Sequence, residues 1–201
     1  MTAPPMLFLP GGSGRGAFWD PVRGELTDLR SRALDWPGLG GTPADPSVGS
    51  YDELVDHVIS TIDEPTALIG QSMGGYVAVR VALAVPQLVT HLVLAVTSAG
   101  VDMVSLGATD WRPGARLDRP DDPAWIYVEQ PDLSAELPAL RMPVLLLWAS
   151  QDAISPVAVG ARLAGLLARS ELVVYHSTDH WVVRAHAVDV ATRIRRHVAT
   201  R

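Results

Sequence analysis

The chain has 201 residues, and 48% of them are hydrophobic, which is enough apolar material for the core of one domain. Sixteen basic and 22 acidic residues give a net charge of −6, and this acidic balance argues against a nucleic-acid partner. Cysteine is absent, so the chain can form no disulfide bond, thiolate nucleophile or Cys-ligated zinc site.

Short apolar runs that are typical of buried strands alternate with stretches of helical periodicity. The predicted strands cover residues 6–9, 32–35, 66–69, 92–96, 143–148 and 172–175, and the predicted helices cover 17–29, 51–62, 76–85, 158–168 and 182–198. Strands separated by helical crossovers indicate a parallel sheet with helices on both faces. We therefore predict a three-layer α/β fold, a doubly wound and mostly parallel sheet of about six strands, in one domain of residues 1–201.

Residues 100–141 interrupt this alternation because they show no clean period. A structureless loop of that length is unusual inside a compact domain unless it is functional. We predict that these residues, called the 100–141 segment below, form a short lid or insertion over the edge of the sheet. Trp111 and Trp125 in this segment are candidate substrate contacts, but aromatic residues in irregular segments equally often form a small satellite core.

The amino terminus shows no basic region followed by an apolar run, so we predict no signal peptide. No apolar run reaches the length needed to span a membrane, since the run at 77–85 is interrupted by Arg80. We therefore expect a cytoplasmic protein without membrane contacts, as a monomer or a homodimer.

A Gly-x-Ser-x-Gly sequence at residues 70–74 joins the third predicted strand to the following helix without a spacer. A serine at such a turn is held in a strained backbone conformation that exposes its Oγ above the edge of the sheet. Ser72 is thus a candidate nucleophile, and the helix start behind it offers free N–H groups to a developing oxyanion. The alternative is that the glycines only punctuate a strand-to-helix turn.

A serine nucleophile needs a general base and an acid that orients the base. In an open parallel sheet, functional residues lie on the loops that follow the carboxyl ends of strands. Asp152 follows the fifth predicted strand, and His180 follows the sixth. Asp102 is a less suitable acid because it lies in the 100–141 segment, and His197 is expected to be an ordinary surface residue of the last helix.

The order serine, acid and histidine, each at the carboxyl end of a strand, resembles the α/β-hydrolase superfamily. The turn at 70–74, the Asp152 loop and the Asp-His pair before Trp181 are similar to the motifs of that family, and residues 9–12 are similar to its oxyanion loop. The resemblance covers the chain apart from the 100–141 segment, which is shorter than the family's usual lid. Pro10 stands where the family usually has a histidine. The chain most resembles small bacterial-type serine esterases with a reduced lid.

This resemblance implies a reaction and a role for each residue of the triad. Ser72 is the nucleophile, His180 is the general base and then the general acid, and Asp152 orients His180. The expected substrate is a small carboxylic ester or thioester, cleaved through an acyl-enzyme. No cofactor and no metal are expected.

The resemblance also implies an oxyanion hole and a substrate pocket. The backbone N–H groups of Met73 and Gly12 are the expected oxyanion donors, with Ser13 as an alternative second donor. Ser13 is also a candidate substrate contact, and Trp19, Trp36 and Trp181 are expected at or near the substrate pocket because they lie near the catalytic loops in the sequence.

Residues 12–17 support a different interpretation, because Gly12 to Ala17 also fit Gly-x-Gly-x-x-Ala after a strand and before a helix. Asp35 ends the next predicted strand, where a dinucleotide-binding protein holds a ribose hydroxyl. This pattern predicts an NAD-dependent oxidoreductase, but it leaves the placement of Ser72, Asp152 and His180 as a coincidence. A third possibility is a hydrolase-like signalling or binding protein.

Overall fold

The computed structural model describes residues 3–200 and contains one sheet of six parallel strands. The strands are β1 (Met6–Leu9), β2 (Ser31–Ala33), β3 (Thr66–Gln71), β4 (Val89–Ala95), β5 (Val144–Ala149) and β6 (Ser170–Tyr175). Their order across the sheet is β2-β1-β3-β4-β5-β6. All residues of β1, β3 and β5 are buried, as a parallel sheet covered on both faces requires.

Helices connect the strands and cover the sheet. They are α1 (Asp20–Arg23), α2 (Tyr51–Ser60), α3 (Met73–Ala84), α4 (Arg112–Asp118), α5 (Val157–Leu166), α6 (Val182–Ala185) and α7 (Ala187–Val198). α2 packs against α3, while α1 packs against α7. β2 and β3 lie on opposite sides of β1, so the usual right-handed crossover puts these two pairs on opposite faces. The predicted three-layer α/β fold is therefore confirmed. Among residues 3–200, no helix combines the length and the apolar character needed to cross a lipid bilayer.

The winding of the chain reverses between β1 and β3, because β2 lies on one side of β1 and the later strands lie on the other. The loops after β1 and β3 therefore separate at the carboxyl edge of the sheet and leave a crevice. Ligands of open α/β sheets bind at such a point. The predicted nucleophile and the predicted oxyanion loop both lie at this crevice.

Two predicted helices differ from the structure. The helix expected over 17–29 is reduced to the single turn α1 between two 3₁₀ turns, because Pro21 has no backbone N–H and Gly24 has low helix propensity. The helix expected over 182–198 is broken at His186, which separates α6 from α7. The His186 ring stacks on the Tyr175 ring with 4.6 Å between centroids.

His197 was expected at the surface but is buried in the structure. It lies on the inner face of α7, and its Nε2 is 3.0 Å from the carbonyl oxygen of Leu92 in β4. Its ring contacts that of His91, also buried, with 5.3 Å between centroids. Burial, helped by the neighbouring His91, lowers the pKa of His197 to about 4. The residue lies near the amino end of β4, away from the crevice.

The 100–141 segment consists of short helical pieces and turns. 3₁₀ turns at Val104–Leu106, Ala124–Tyr127 and Leu137–Ala139 accompany α4. Leu137 is fully buried, and the Leu133 N–H donates to the Gly100 carbonyl at 2.7 Å. Leu137 attaches the segment to the hydrophobic core, while the Leu133–Gly100 bond joins two parts of the segment itself. The irregular sequence of the segment matches its lack of long elements.

Candidate active site

The turn at Ser72 is one residue long, because β3 ends at Gln71 and α3 begins at Met73. Ser72 has φ 52° and ψ −119°, a conformation that L-residues rarely adopt. Gly70 and Gly74 make the turn possible. A Cβ on Gly70 would overlap the Gly74 carbonyl, and a Cβ on Gly74 would lie 2.5 Å from the Pro10 carbonyl oxygen.

Backbone hydrogen bonds hold Ser72 in this conformation. Its N–H donates to the Ala95 carbonyl at the end of β4, at 2.9 Å. Its carbonyl accepts from the N–H groups of Gly75 at 3.0 Å and Tyr76 at 3.3 Å. The hydroxyl of Thr97 donates to the same carbonyl at 2.6 Å. The conformation of Ser72 is thus set by the strand beside it as well as by its own helix.

Asp152 and His180, the predicted acid and base, are hydrogen-bonded to each other. Asp152 Oδ2 lies 2.6 Å from His180 Nδ1. The other carboxylate oxygen of Asp152 accepts from the N–H groups of Ile154 at 2.8 Å and Ser155 at 3.2 Å. Asp152 is only 3% exposed, so the carboxylate is fixed by three hydrogen bonds in a dry environment. The bond at Nδ1 leaves Nε2 as the nitrogen that can take a proton.

Ser72 and His180 line the same cavity of about 970 Å³, which lies at the carboxyl edge of the sheet. The loop that carries His180 is connected to the turn through Gln71, whose Nε2 donates to the His180 carbonyl at 3.3 Å. Gln71 is buried and was not singled out from the sequence. Asp102, the competing acid, also lines the cavity, but its Oδ1 caps a turn by accepting from the Val104 N–H at 3.0 Å.

The loop after β1 lies against the Ser72 turn. A Cβ on Gly11 would overlap the Gln71 side-chain oxygen and come within 3.3 Å of the Ser72 Cβ, so the loop and the turn are in close contact at this glycine. Trp19 and Trp36, expected near the pocket, do not line the cavity. Both are fully buried behind the loop, where their indole N–H groups donate to the carbonyls of Leu9 and Pro10, each at 3.0 Å. They support the loop from behind.

The other sequence-predicted residues divide into two groups. Gly12, Ser13, Met73, Trp111 and Trp181 all line the cavity. Trp125 is not among the lining residues, and its ring packs edge-on against Tyr51 with 5.4 Å between centroids. Trp125 therefore supports the wall of the cavity from outside.

Tyr51 and Tyr76 form part of that wall, and their rings meet edge-on at 5.5 Å. Burial raises the pKa of the Tyr51 hydroxyl, which donates to the Ile126 carbonyl at 3.2 Å. Tyr76 donates to Gln130 Oε1 at 3.2 Å. Both phenols thus connect the cavity wall to the 100–141 segment.

Arg119 is a residue of the site that sequence patterns did not indicate. It follows α4, lines the cavity, and donates from Nη1 to the Gly12 carbonyl at 2.5 Å. A second contact, 3.3 Å to Asp122, holds the same guanidinium nitrogen. One arginine in a segment without periodicity carries no signal in the sequence, so only the folded chain reveals this link between the 100–141 segment and the loop after β1.

The features that suggested a dinucleotide site have other uses in the structure. The Asp35 carboxylate accepts from the Gly16 N–H at 2.7 Å. A Cβ on Gly14 would overlap Leu39, and a Cβ on Gly16 would lie 2.6 Å from the Leu34 carbonyl oxygen. These glycines pack against the protein's own chain, and the loop leads into a 3₁₀ turn instead of a long helix. The geometry therefore does not support pyrophosphate binding there.

Comparison with known proteins agrees with this geometry. The model of the alpha/beta hydrolase family matches residues 6–139. A pimeloyl-[acyl-carrier protein] methyl ester esterase of Shewanella woodyi is 32% identical over 93 residues, which are 46% of this chain and 36% of that protein. The enzyme of the same name from Nitrosomonas europaea is 25% identical over 226 residues, covering 89% of each chain. Among solved structures, a thermophilic esterase from Thermogutta terrifontis superposes with a TM-score of 0.75 at 25% identity, covering 99% of this chain and 92% of that one.

Proposed function

Because the chain belongs to the alpha/beta hydrolase family, we propose that it is a serine hydrolase that cleaves small carboxylic esters or thioesters. One observation carries this proposal. His180 Nδ1 lies 2.6 Å from a buried carboxylate of Asp152, and His180 shares a cavity with a serine in a strained strand-to-helix turn. A carboxylate, an imidazole and a serine that lines the same cavity are the groups that together activate a hydroxyl.

In the proposed reaction, Ser72 Oγ attacks the ester carbonyl while His180 Nε2 takes the hydroxyl proton. The Asp152 carboxylate holds the ring and stabilises the imidazolium that forms. Collapse of the tetrahedral intermediate breaks the bond to the alcohol, which receives its proton from His180. Water, activated by the same nitrogen, then attacks the acyl-enzyme and releases the acid and free Ser72.

The oxyanion of each tetrahedral intermediate needs two donors. Met73 is the first residue of the twelve-residue helix α3, so its N–H has no acceptor within the helix and lies at the positive end of the dipole. Gly12 lines the same cavity from the loop after β1. We propose these two N–H groups as the oxyanion hole, and the loss of one such donor typically costs about 3 kcal/mol of transition-state stabilisation.

The lining of the cavity favours an ester with an apolar acyl group, an apolar alcohol group or both. Aromatic and aliphatic side chains such as Phe18, Tyr76, Val101 and Ile126 line much of it, and Trp181 is exposed at its mouth. The two curated relatives described above are named as methyl ester esterases, which supports a small alcohol group. We further propose that the whole chain is one domain and that the 100–141 segment is its lid.

The test is hydrolysis of p-nitrophenyl esters and thioesters of increasing acyl length by the parent protein and by Ser72→Ala. The parent should turn over at least one of these substrates, and the variant should lose at least about 10³-fold of that activity because it lacks the attacking oxygen. Circular dichroism and the midpoint of urea unfolding should be the same in both proteins.

The same experiment separates the enzyme from a hydrolase-like binding or signalling protein. A parent protein that cleaves no ester and no thioester, although correctly folded, would overturn the proposed function. Equal activity in Ser72→Ala would assign the hydrolysis to another residue or to a contaminant.

A further inference from the structure

Thr97 is a buried residue just after β4 whose hydroxyl is fully occupied by the backbone. The hydroxyl donates to the Ser72 carbonyl at 2.6 Å and accepts from the Ala99 N–H at 3.1 Å. The side chain is 1% exposed and does not line the cavity. Thr97 therefore cannot contact a substrate, although it is hydrogen-bonded to the proposed nucleophile.

The turn that carries Thr97 is itself strained. Val96 and Ala99, on either side, have φ of 41° and 46°, which are unusual for residues other than glycine and most unusual for β-branched valine. Such conformations persist only where surrounding contacts enforce them, and they concentrate at functional sites. Two strained turns, at Ser72 and at Val96 to Ala99, are thus joined by the Thr97 hydroxyl.

Thr97 also connects this turn to the acid loop. Its carbonyl accepts from the Ser155 hydroxyl at 3.3 Å, and the Ser155 N–H donates to the Asp152 carboxylate at 3.2 Å. The methyl group of Thr97 occupies the space where a side chain on Gly75 would lie, since a Cβ there would be 2.6 Å from Thr97 Cγ2. One residue therefore touches the first turn of α3, the Ser72 peptide and the support of Asp152.

We propose that Thr97 is a positioning residue that holds the Ser72 peptide, and with it Oγ, at the distance and angle needed for attack. The inference rests on the proposed role of Ser72 as nucleophile. A shift of about 1 Å in a reacting group can cost about 10²-fold in rate. The hydroxyl of Thr97 is the part that matters, because it is the group that reaches the Ser72 carbonyl.

The matched variants are Thr97→Val, which keeps the shape and removes the hydroxyl, and Thr97→Ser, which keeps the hydroxyl and removes the methyl group. Two rates are measured: ester hydrolysis, and covalent labelling of Ser72 by a fluorophosphonate, located by mass spectrometry. Thr97→Val should lower kcat and the labelling rate constant by about 10- to 100-fold with KM within about twofold, because the cavity wall is unchanged. Thr97→Ser should keep both rates within about threefold of the parent.

A purely structural role predicts a different result. Thr97→Val would then unfold at lower urea concentration but label Ser72 at the parent rate per folded molecule, and this result would overturn the inference. Equal losses in Thr97→Val and Thr97→Ser would also overturn it, since packing of the methyl group would then be responsible. If Thr97→Val does not fold, Thr97→Cys replaces it, because a thiol of similar size is a weaker donor. Thr97→Cys should lower both rates, and parent rates in it would contradict the inference.

The labelling experiment also separates this inference from the proposed function. Failure of the fluorophosphonate to label the parent protein at Ser72 would refute the nucleophile, and Thr97 would then have no reaction to support. Labelling of the parent and equal labelling of Thr97→Val would leave the hydrolase intact and remove only the role of Thr97.

Discussion

The two ends of the sheet each hold a histidine whose ring is hydrogen-bonded to the protein, His180 half-buried at one end and His197 buried at the other. At the carboxyl edge, His180 has a carboxylate partner at 2.6 Å and faces a cavity. Near the amino end of β4, His197 has a carbonyl oxygen at 3.0 Å and a second imidazole, His91, at 5.3 Å. The first histidine has a carboxylate hydrogen-bonded to its ring, whereas the second has backbone carbonyls and another ring as neighbours, and the Glu171 carboxylate has only a minor effect on its pKa.

The difference shows that burial alone does not make a histidine a base. A carboxylate at Nδ1 stabilises the imidazolium that forms when Nε2 takes a proton. At His197, burial disfavours the charged ring and lowers its pKa to about 4. His197 and His91 are therefore neutral packing residues that attach α7 to β4, while His180 is equipped for proton transfer.

The largest effect is expected from Asp152→Asn. Asparagine keeps the size and the oxygen that accepts from Ile154 and Ser155, but its amide cannot stabilise the imidazolium, so kcat should fall by about 10⁴-fold with little change in stability. Ester hydrolysis and urea unfolding measure the two quantities. The matched control is Asp102→Asn, at the same cavity but bonded to a turn, which should keep its activity within about threefold. Full activity in Asp152→Asn would remove Asp152 from the triad.

A smaller effect is expected at His197, near the amino end of β4, and it concerns the stability of the fold instead of the rate of the reaction. The pKa of His197 falls from 6.5 to about 4 on folding, so between these values the unfolded chain binds a proton that the folded chain does not. The contribution of neutral His197 to the free energy of unfolding is therefore complete above pH 6.5. It is lost as the pH falls toward 4, by about 3 kcal/mol in total.

His197→Gln retains a donor for the Leu92 carbonyl but cannot titrate. Urea unfolding at several pH values between 4 and 7.5 should therefore show a shallower loss of stability in acid than in the parent, by up to about 1.4 kcal/mol per pH unit. Its kcat at neutral pH should match the parent value, because the residue lies away from the cavity. An unchanged pH dependence would show that His197 does not carry this proton.

The contrast between the two ends also explains what could be predicted from the sequence. Ser72 directly follows β3, and Asp152 and His180 lie on the loops that follow β5 and β6. Parallel strands bring their carboxyl ends to one edge of the sheet. Local sequence pattern and sheet topology were therefore sufficient to predict the fold class, and this prediction is confirmed. They were also sufficient to predict that these three residues lie at the same edge of the sheet. Their catalytic roles stay predictions.

Other features depend on tertiary contacts that leave no local pattern. Thr97 and Arg119 each make a hydrogen bond to the backbone of a residue that is distant in sequence, 25 and 107 positions away. The face that His197 presents to β4 depends on how α7 docks, and Trp36 was expected at the pocket but supports the loop from behind. Residue type and spacing cannot specify such contacts, because each depends on the packing of distant elements.

The smallest effect is expected from Gly12→Ala, which tests how the carboxyl edge uses its oxyanion loop. A Cβ at this position would meet only the Arg119 side chain, at 3.9 Å, and the backbone there does not need a positive φ. The N–H that we propose as an oxyanion donor is retained, so kcat/KM should stay within about twofold of the parent. Gly11→Ala is the matched contrast, since its Cβ would overlap the Gln71 side chain and press on Ser72; it should lower kcat more than Gly12→Ala does. If Gly12→Ala instead lost as much activity as the removal of an oxyanion donor, the reaction would require the open space at Gly12 and not its N–H.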